Sequence, residues 1–128
     1  MAMLLPKGRK VGRIVKPGAR WRSKAHLDHV RAQRCCVPGC FRQPVEAHHP
    51  LKGPERKARG MKASDHNALP LCGGPDGGHH RGQDSPHHDG DEDRWMERHG
   101  IDRDATIERL QQSSPVAGAI ATHLRGNA

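Results

Sequence analysis

Residues able to carry metal or proton chemistry crowd into one stretch of this chain, from Cys35 to His88. It holds all four cysteines and seven of the eleven histidines. Two pairs of soft ligands stand out, Cys35 with Cys40 and Cys72 with His79. Tetrahedral zinc takes Cys and His in such pairs, because a tight turn lets two side chains meet one ion. Pro38-Gly39 supplies the turn in the first pair, and the glycine-rich run 73–78 supplies it in the second. Cys36 offers a rival pairing with Cys40. The longer gap closes more comfortably around a Pro-Gly turn, so Cys35 is preferred. Thiols mixed with histidines favour zinc over disulfides in a reducing compartment.

A second set of ligands is interleaved with the first: His48, His49, His80, His87 and His88. Adjacent residues of an extended strand point to opposite faces. His48 and His49 therefore suit a division of labour, one holding an ion and the other acting as general base. A neutral imidazole can accept a proton from water near physiological pH. An ion beside it would polarise a phosphate and stabilise a leaving oxygen. The acidic run Asp89, Asp91, Glu92 and Asp93 can bind a cation, but acids at a helix N-terminus read more simply as capping. Trp95 and Met96 read as packing residues.

The elements that must position these residues are short. Ser23 caps a helix to about Gln33 that leads into the first knuckle, with Leu27 and Val30 on one face. His26 and His29 on that helix read as surface residues. Residues 44–49 read as a short strand and 68–71 as a second, ending at Cys72. Gly82 and Pro86 limit any helix between His79 and His88. Asp91 caps a helix to about His99, ended by Gly100. Asp102 or Asp104 starts another, to about Gln112, and a weak helix after Pro115 runs to Leu124. The expected organisation is a flexible basic arm over 1–22, a domain over 23–112, and a C-terminal tail or weak helix over 113–128.

Of 128 residues only 33% are hydrophobic, with one Phe, two Trp and no Tyr. So small a core needs a staple. No apolar run of signal length or membrane-spanning length is evident, which leads to the expectation of a cytoplasmic protein without a membrane partner. The formal net charge is +8, which suits a polyanion, with nucleic acid the default. The positive charge is concentrated in Lys7, Arg9, Lys10 and Arg13 of an arm without acids, and in Lys52, Arg56, Lys57, Arg59 and Lys62 of a loop. Both can lie along phosphates without choosing a sequence. The scarcity of aromatic residues argues against a platform for unpaired bases.

The run Cys35…Cys40…His48-His49…Asn67…Leu71-Cys72…His79-His80 resembles the HNH, or ββα-metal (His-Me finger), nucleases, many of which carry a zinc knuckle. The resemblance covers about residues 34–100. It is nearest to a phage branch that includes Ref-like, RecA-dependent nucleases, through Gly60-Met61-Lys62, His80-Arg81-Gly82 and the tryptophan helix ending at Gly100-Ile101. The implied fold is a small α+β domain, a zinc-stabilised ββα-metal finger with flanking helices. The resemblance makes His48, His80 and His87 ligands of a catalytic divalent ion such as Mg²⁺, beside the structural zinc. It makes His49 the general base and Asn67 the residue that orients it. Asp84 or His88 can take the place of His87, and Asp65 competes with Asn67. The implied activity is metal-dependent hydrolysis of DNA phosphodiesters by a phage or prophage enzyme, with a recombinase or other phage recombination protein as a further partner. A non-catalytic zinc module that binds DNA is the rival reading.

Overall fold

The structure, a computed structural model, describes residues 20–51 and 63–126. The arm residues Lys7, Arg9, Lys10 and Arg13 and the loop residues Lys52, Arg56, Lys57, Arg59 and Lys62 lie outside the described residues. The described residues form a small α+β unit: a two-stranded antiparallel sheet with short helices around it. None of those helices is long and apolar enough to cross a membrane.

Helix α1 spans Lys24–Arg31. Ser23 caps it as expected, its hydroxyl accepting the His26 N–H at 3.1 Å, which satisfies one of the amides a helix start leaves unpaired. Strands β1, Val45–His48, and β2, Leu69–Cys72, pair in the register Val45↔Cys72 to His48↔Leu69. That register sets His48 and Cys72 at opposite ends of the same hairpin. A 3-10 turn over Asp65–Asn67 leads into β2.

The segment after β2 obeys its glycines and its proline. Gly78 has φ +52°, and a Cβ there would come within 2.5 Å of the Cys72 carbonyl oxygen. Only glycine lets the chain turn that tightly against the strand it has just left. Two single-turn helices follow, α2 over Gly78–Arg81 and α3 over Pro86–Asp89. Ser85 caps α3 through the His88 N–H, and Pro86 occupies its first turn, where a missing amide proton costs nothing. Asp91 and Asp102 cap α4, Glu92–Arg98, and α5, Arg103–Ser113. Helix α6, Ala117–Gly126, completes the fold.

The main core gathers Val37, Leu69, Leu71, Trp95, Met96, Ile101 and Ile107 around Cys35, Cys40 and Cys72. A smaller cluster joins Val30 of α1, Ala68 and Leu110 of α5. Trp95 and Met96 are buried, in line with a packing role. The cysteines thus sit inside the hydrophobic core rather than beside it.

Tertiary contacts refine the ends of the fold and correct one residue. The body of the fold begins before residue 23. The Trp21 N–H donates to Ser64 Oγ at 2.9 Å, and the Trp21 carbonyl accepts from the Asp65 amide at 2.9 Å. Of the two readings of residues 113–128, tail or weak helix, the helix is the one observed: Ile120 of α6 is buried, and His123 is in ring contact with Trp21 and His66. Finally, His26 is no surface residue. It is fully buried, with Nδ1 2.8 Å from Ser114 Oγ. The cause is tertiary: the turn between α5 and α6 packs over the helix face that the local sequence leaves open.

Burial lowers the His26 pKa from 6.5 to about 4, helped by the nearby His29 and His66. The unfolded chain therefore binds this proton more readily than the folded one. The stability that neutral His26 contributes is complete above pH 6.5 and is lost as pH falls toward 4. A His26→Gln variant should show a flatter fall of its urea midpoint between pH 7 and pH 4.5 than the wild type. The difference between the two proteins isolates His26 from acid loss of the metal ligands.

Candidate metal centre

Cys35, Cys40, Cys72 and His79 each offer a ligand atom, and these atoms lie within 4.8 Å of one another. Cys35 Sγ is 3.5 Å from His79 Nδ1, Cys72 Sγ is 3.3 Å from the same nitrogen, and Cys40 Sγ is 3.9 Å from Cys72 Sγ. A tetrahedron with metal–sulfur bonds of about 2.3 Å has edges of about 3.7 Å. The quartet can hold a metal ion such as zinc. Burial pushes the Cys35 thiol up to about 12, so a thiolate there needs a cation to compensate its charge. The His79 N–H donates to Cys72 Sγ at 3.3 Å, a bond that favours the ionised sulfur. Cys36 stands outside the quartet, its amide bonded to the Pro70 carbonyl at 2.8 Å.

Asp84 belongs to this first centre. Its Oδ1 accepts from Trp95 Nε1 at 2.9 Å and lies 2.9 Å from His99 Nε2, while Oδ2 is 3.8 Å from His79 Nε2. It was a candidate for the second ligand set, but these bonds tie it to the far side of His79.

The second set assembles from three elements. His48 ends β1, His80 lies in α2, and His87 lies in α3; their ligand atoms also fall within 4.8 Å of one another. The ring centroids are 5.4 Å apart for His48 and His80, 5.2 Å for His48 and His87, and 5.5 Å for His80 and His87. His87 thus joins the set that the sequence left open among His87, His88 and Asp84.

Each of the two more buried imidazoles is backed by a carboxylate. His48 Nε2 is 2.6 Å from Glu92 Oε1, and both side chains are fully buried. The other ring nitrogen, Nδ1, is buried and has no hydrogen-bond partner. His80 Nδ1 is 2.7 Å from Glu46 Oε1. Arg81 clamps the same carboxylate from Nε and Nη2 at 2.9 and 3.0 Å, and the two bonds hold Glu46 down to about 2. Burial lowers the pKa of His80 against the pull of Glu46, and burial with the neighbouring His80 lowers that of His87. Neutral rings backed by hydrogen-bonded carboxylates are the form in which histidines bind metals. A buried Nδ1 without a hydrogen-bond partner on a histidine of this cluster fits a metal ligand.

His49, next in the chain, turns to a different neighbourhood. Its Nε2 lies 2.9 Å from Asp65 Oδ1 and 3.1 Å from Arg20 Nη2, and those two also meet at 2.9 Å. The Ser23 amide donates to Asp65 Oδ2 at 2.8 Å. Burial works to raise the Asp65 pKa, but the bonds from His49 and Ser23 and the charge of Arg20 outweigh it and hold the carboxyl below its ordinary value. When the His49 proton sits on Nε2 and is donated to Asp65, the basic lone pair sits on Nδ1.

Of the two residues that the sequence offered beside His49, Asp65 lies against it, its Oδ1 2.9 Å from Nε2. Asn67 Oδ1 instead accepts from Gln111 Nε2 at 3.4 Å. The 3-10 turn explains the difference, because residues two apart in it leave the helix axis in different directions. Sequence reading missed Glu46, Glu92 and Arg20 as members of the site. Glu46 lies two residues before His48, and strand alternation could have flagged it. Glu92 was set among the capping acids, yet it is buried, and nothing local in the sequence separates it from Asp91 or Asp93.

Zinc content tests the assignment of the quartet. Cys36→Ser should purify with the same zinc-to-protein ratio as the wild type. Cys35→Ser should lose most of the metal and unfold at lower temperature, as read by elemental analysis and thermal melts.

Compared with protein-family models, with curated proteins and with solved structures, the chain matches none.

Proposed function

We propose that this protein is a metal-dependent endonuclease of the HNH kind that hydrolyses DNA phosphodiester bonds. The observation that carries the reading is the pairing of two adjacent histidines with separate partners. His48 joins His80 and His87 in a metal-sized triangle, while His49 is held by Asp65. A zinc module that only binds DNA has no use for the second triangle or for a carboxylate-held imidazole beside it. The net charge of +8 supports a polyanionic substrate.

In this reading Cys35, Cys40, Cys72 and His79 hold a structural zinc that ties the two knuckles together, and His48, His80 and His87 hold the catalytic ion. When bound, that ion supplies positive charge for a phosphate oxygen and for the leaving oxygen. Three imidazoles form a softer donor set than Mg²⁺ prefers, and they suit a transition ion such as Zn²⁺, Mn²⁺ or Ni²⁺ better. His49 takes the proton of the attacking water at Nδ1. Asp65 keeps the Nε2 proton in place and stabilises the imidazolium that forms. Arg20 lies against both groups, its Nη2 3.1 Å from His49 Nε2 and 2.9 Å from Asp65 Oδ1. Lys and Arg residues of the arm and loop add affinity through phosphates.

Cleavage of duplex, nicked and single-stranded DNA with Mg²⁺, Mn²⁺ and Zn²⁺ tests the proposal. His49→Ala should lose activity by about 10²- to 10⁴-fold while still binding metal and DNA. Asp65→Asn should lose less, since an amide can still accept from Nε2. Equal activity in wild type and His49→Ala would end the assignment of the base. Absence of cleavage by the wild type in every condition would favour the DNA-binding module.

Salt dependence tests the substrate class separately. If about five phosphates are neutralised, log K should fall against log salt with a slope of about −4 to −5. Removing residues 1–19 should flatten the slope while leaving Arg20 in place. An unchanged slope would take the arm out of the interface.

A further inference from the structure

We infer that Glu92 is a positioning residue for the second metal site, acting through His48. The inference rests on the reading of His48, His80 and His87 as metal ligands. Glu92 is the first residue of α4, where an acid ordinarily reaches into solvent toward the helix amides. Here it is 1% exposed and points at β1. Its Oε1 lies 2.6 Å from His48 Nε2 and accepts the Leu51 N–H at 3.1 Å. Its Oε2 lies 3.4 Å from Arg103 Nη1, at the first turn of α5.

A carboxylate so deeply buried is costly unless its charge is used. The geometry shows the use. An ionised carboxylate only accepts, so His48 must carry its proton on Nε2. That leaves the lone pair on Nδ1, the nitrogen that is buried and lacks a hydrogen-bond partner. With the opposite tautomer, Nδ1–H would stay buried without an acceptor and Nε2 would face an anion lone pair to lone pair. Glu92 therefore selects the form of His48 that can bind a cation. Through Leu51 it also pins the backbone three residues beyond that ligand. Arg103, bonded to Asp93 at 2.6 Å as well, brings a positive charge to the outer oxygen and connects the site to α5.

Glu46 does the corresponding work for His80, but by other means. It stands half-exposed on the sheet and shares its oxygens with Arg81. Glu92 has no such exposed position, so no water can substitute for it without a change in packing.

Two readouts test the inference. Long-range ¹H–¹⁵N correlation spectra of the imidazoles report the tautomer of His48 directly, with only the quartet metal bound. Wild type should show Nε2–H. Glu92→Ala should show a mixture or the Nδ1–H form, and Glu92→Gln, whose carbonyl still accepts, should keep Nε2–H. Titration with Co²⁺ then reports affinity. Sites rich in thiolate give sulfur-to-cobalt charge-transfer bands and the imidazole site does not, so the two centres are read separately. Glu92→Ala should bind Co²⁺ at the imidazole site about 10- to 100-fold more weakly, with Glu92→Gln between it and the wild type and the quartet metal retained in both. Should Glu92→Ala fail to fold, Glu92→Gln decides by its affinity: a loss supports the inference and wild-type affinity overturns it. An unchanged tautomer and unchanged Co²⁺ affinity in Glu92→Ala would likewise overturn it. Should the wild type bind no Co²⁺ outside the thiolate site, the metal reading itself falls, and the role of Glu92 falls with it.

Discussion

The meeting of Cys35, Cys40, Cys72 and His79 is the constraint on which the rest of this structure depends. The sheet has two strands of four residues each, far fewer than an independently stable sheet needs. Several of the helices are single turns, too short to persist without tertiary support. Three cysteines take part in the same buried cluster as Leu69, Leu71, Trp95 and Met96. Ligand geometry and apolar packing therefore reinforce each other at one point. An ion held there would join the loop after α1 to the end of β2, and so set where α2 begins.

From that point the second site follows by short steps along the chain. Cys72 ends β2, and the strand pairing carries His48 to the other end of the hairpin. His79 is a member of the first quartet and His80 a member of the second triangle. Adjacent residues on a single helical turn diverge in direction, so one turn of α2 serves two centres. The two clusters are coupled by covalent geometry, and loosening the first must displace His80 in the second. Gly78, with its close approach to Cys72, is what allows a helix to start so soon after the strand.

Carboxylates divide the histidines into separate neighbourhoods. Glu92 and Glu46 back two imidazoles of the triangle, whereas Asp65 faces His49 together with Arg20. An imidazole backed by a carboxylate is a stronger ligand or a better base, according to what its other nitrogen meets. His48 and His49 are neighbours in sequence, yet they receive these partners from different elements, α4 and the 3-10 turn. That His48 and His49 meet different carboxylates is thus a property of the packing around the strand end.

Much of this was written in local sequence. Ser23, Asp91 and Asp102 announce their helices through side chains that bond the first-turn amides. Gly73 to Gly78 and Ser85-Pro86 announce the turns that keep α2 and α3 short. The Cys-His quartet was legible because zinc demands closely spaced pairs, and Cys35 could be preferred to Cys36 from turn length alone. Other features depend on residues far apart in the chain. Glu92 and Asp91 are alike in sequence, but only the packing of α4 on β1 buries one and leaves the other as a cap. Asp65 meets His49 because the 3-10 turn docks against the backbone of Trp21 and Ser23. His26 is buried because α5 and α6 close over α1, and no pattern within α1 encodes that contact. Local chemistry determined which residues can bind a metal and where helices start. Tertiary packing alone decided which carboxylate stands behind which imidazole, because that choice is made by distance and burial between elements about forty residues apart.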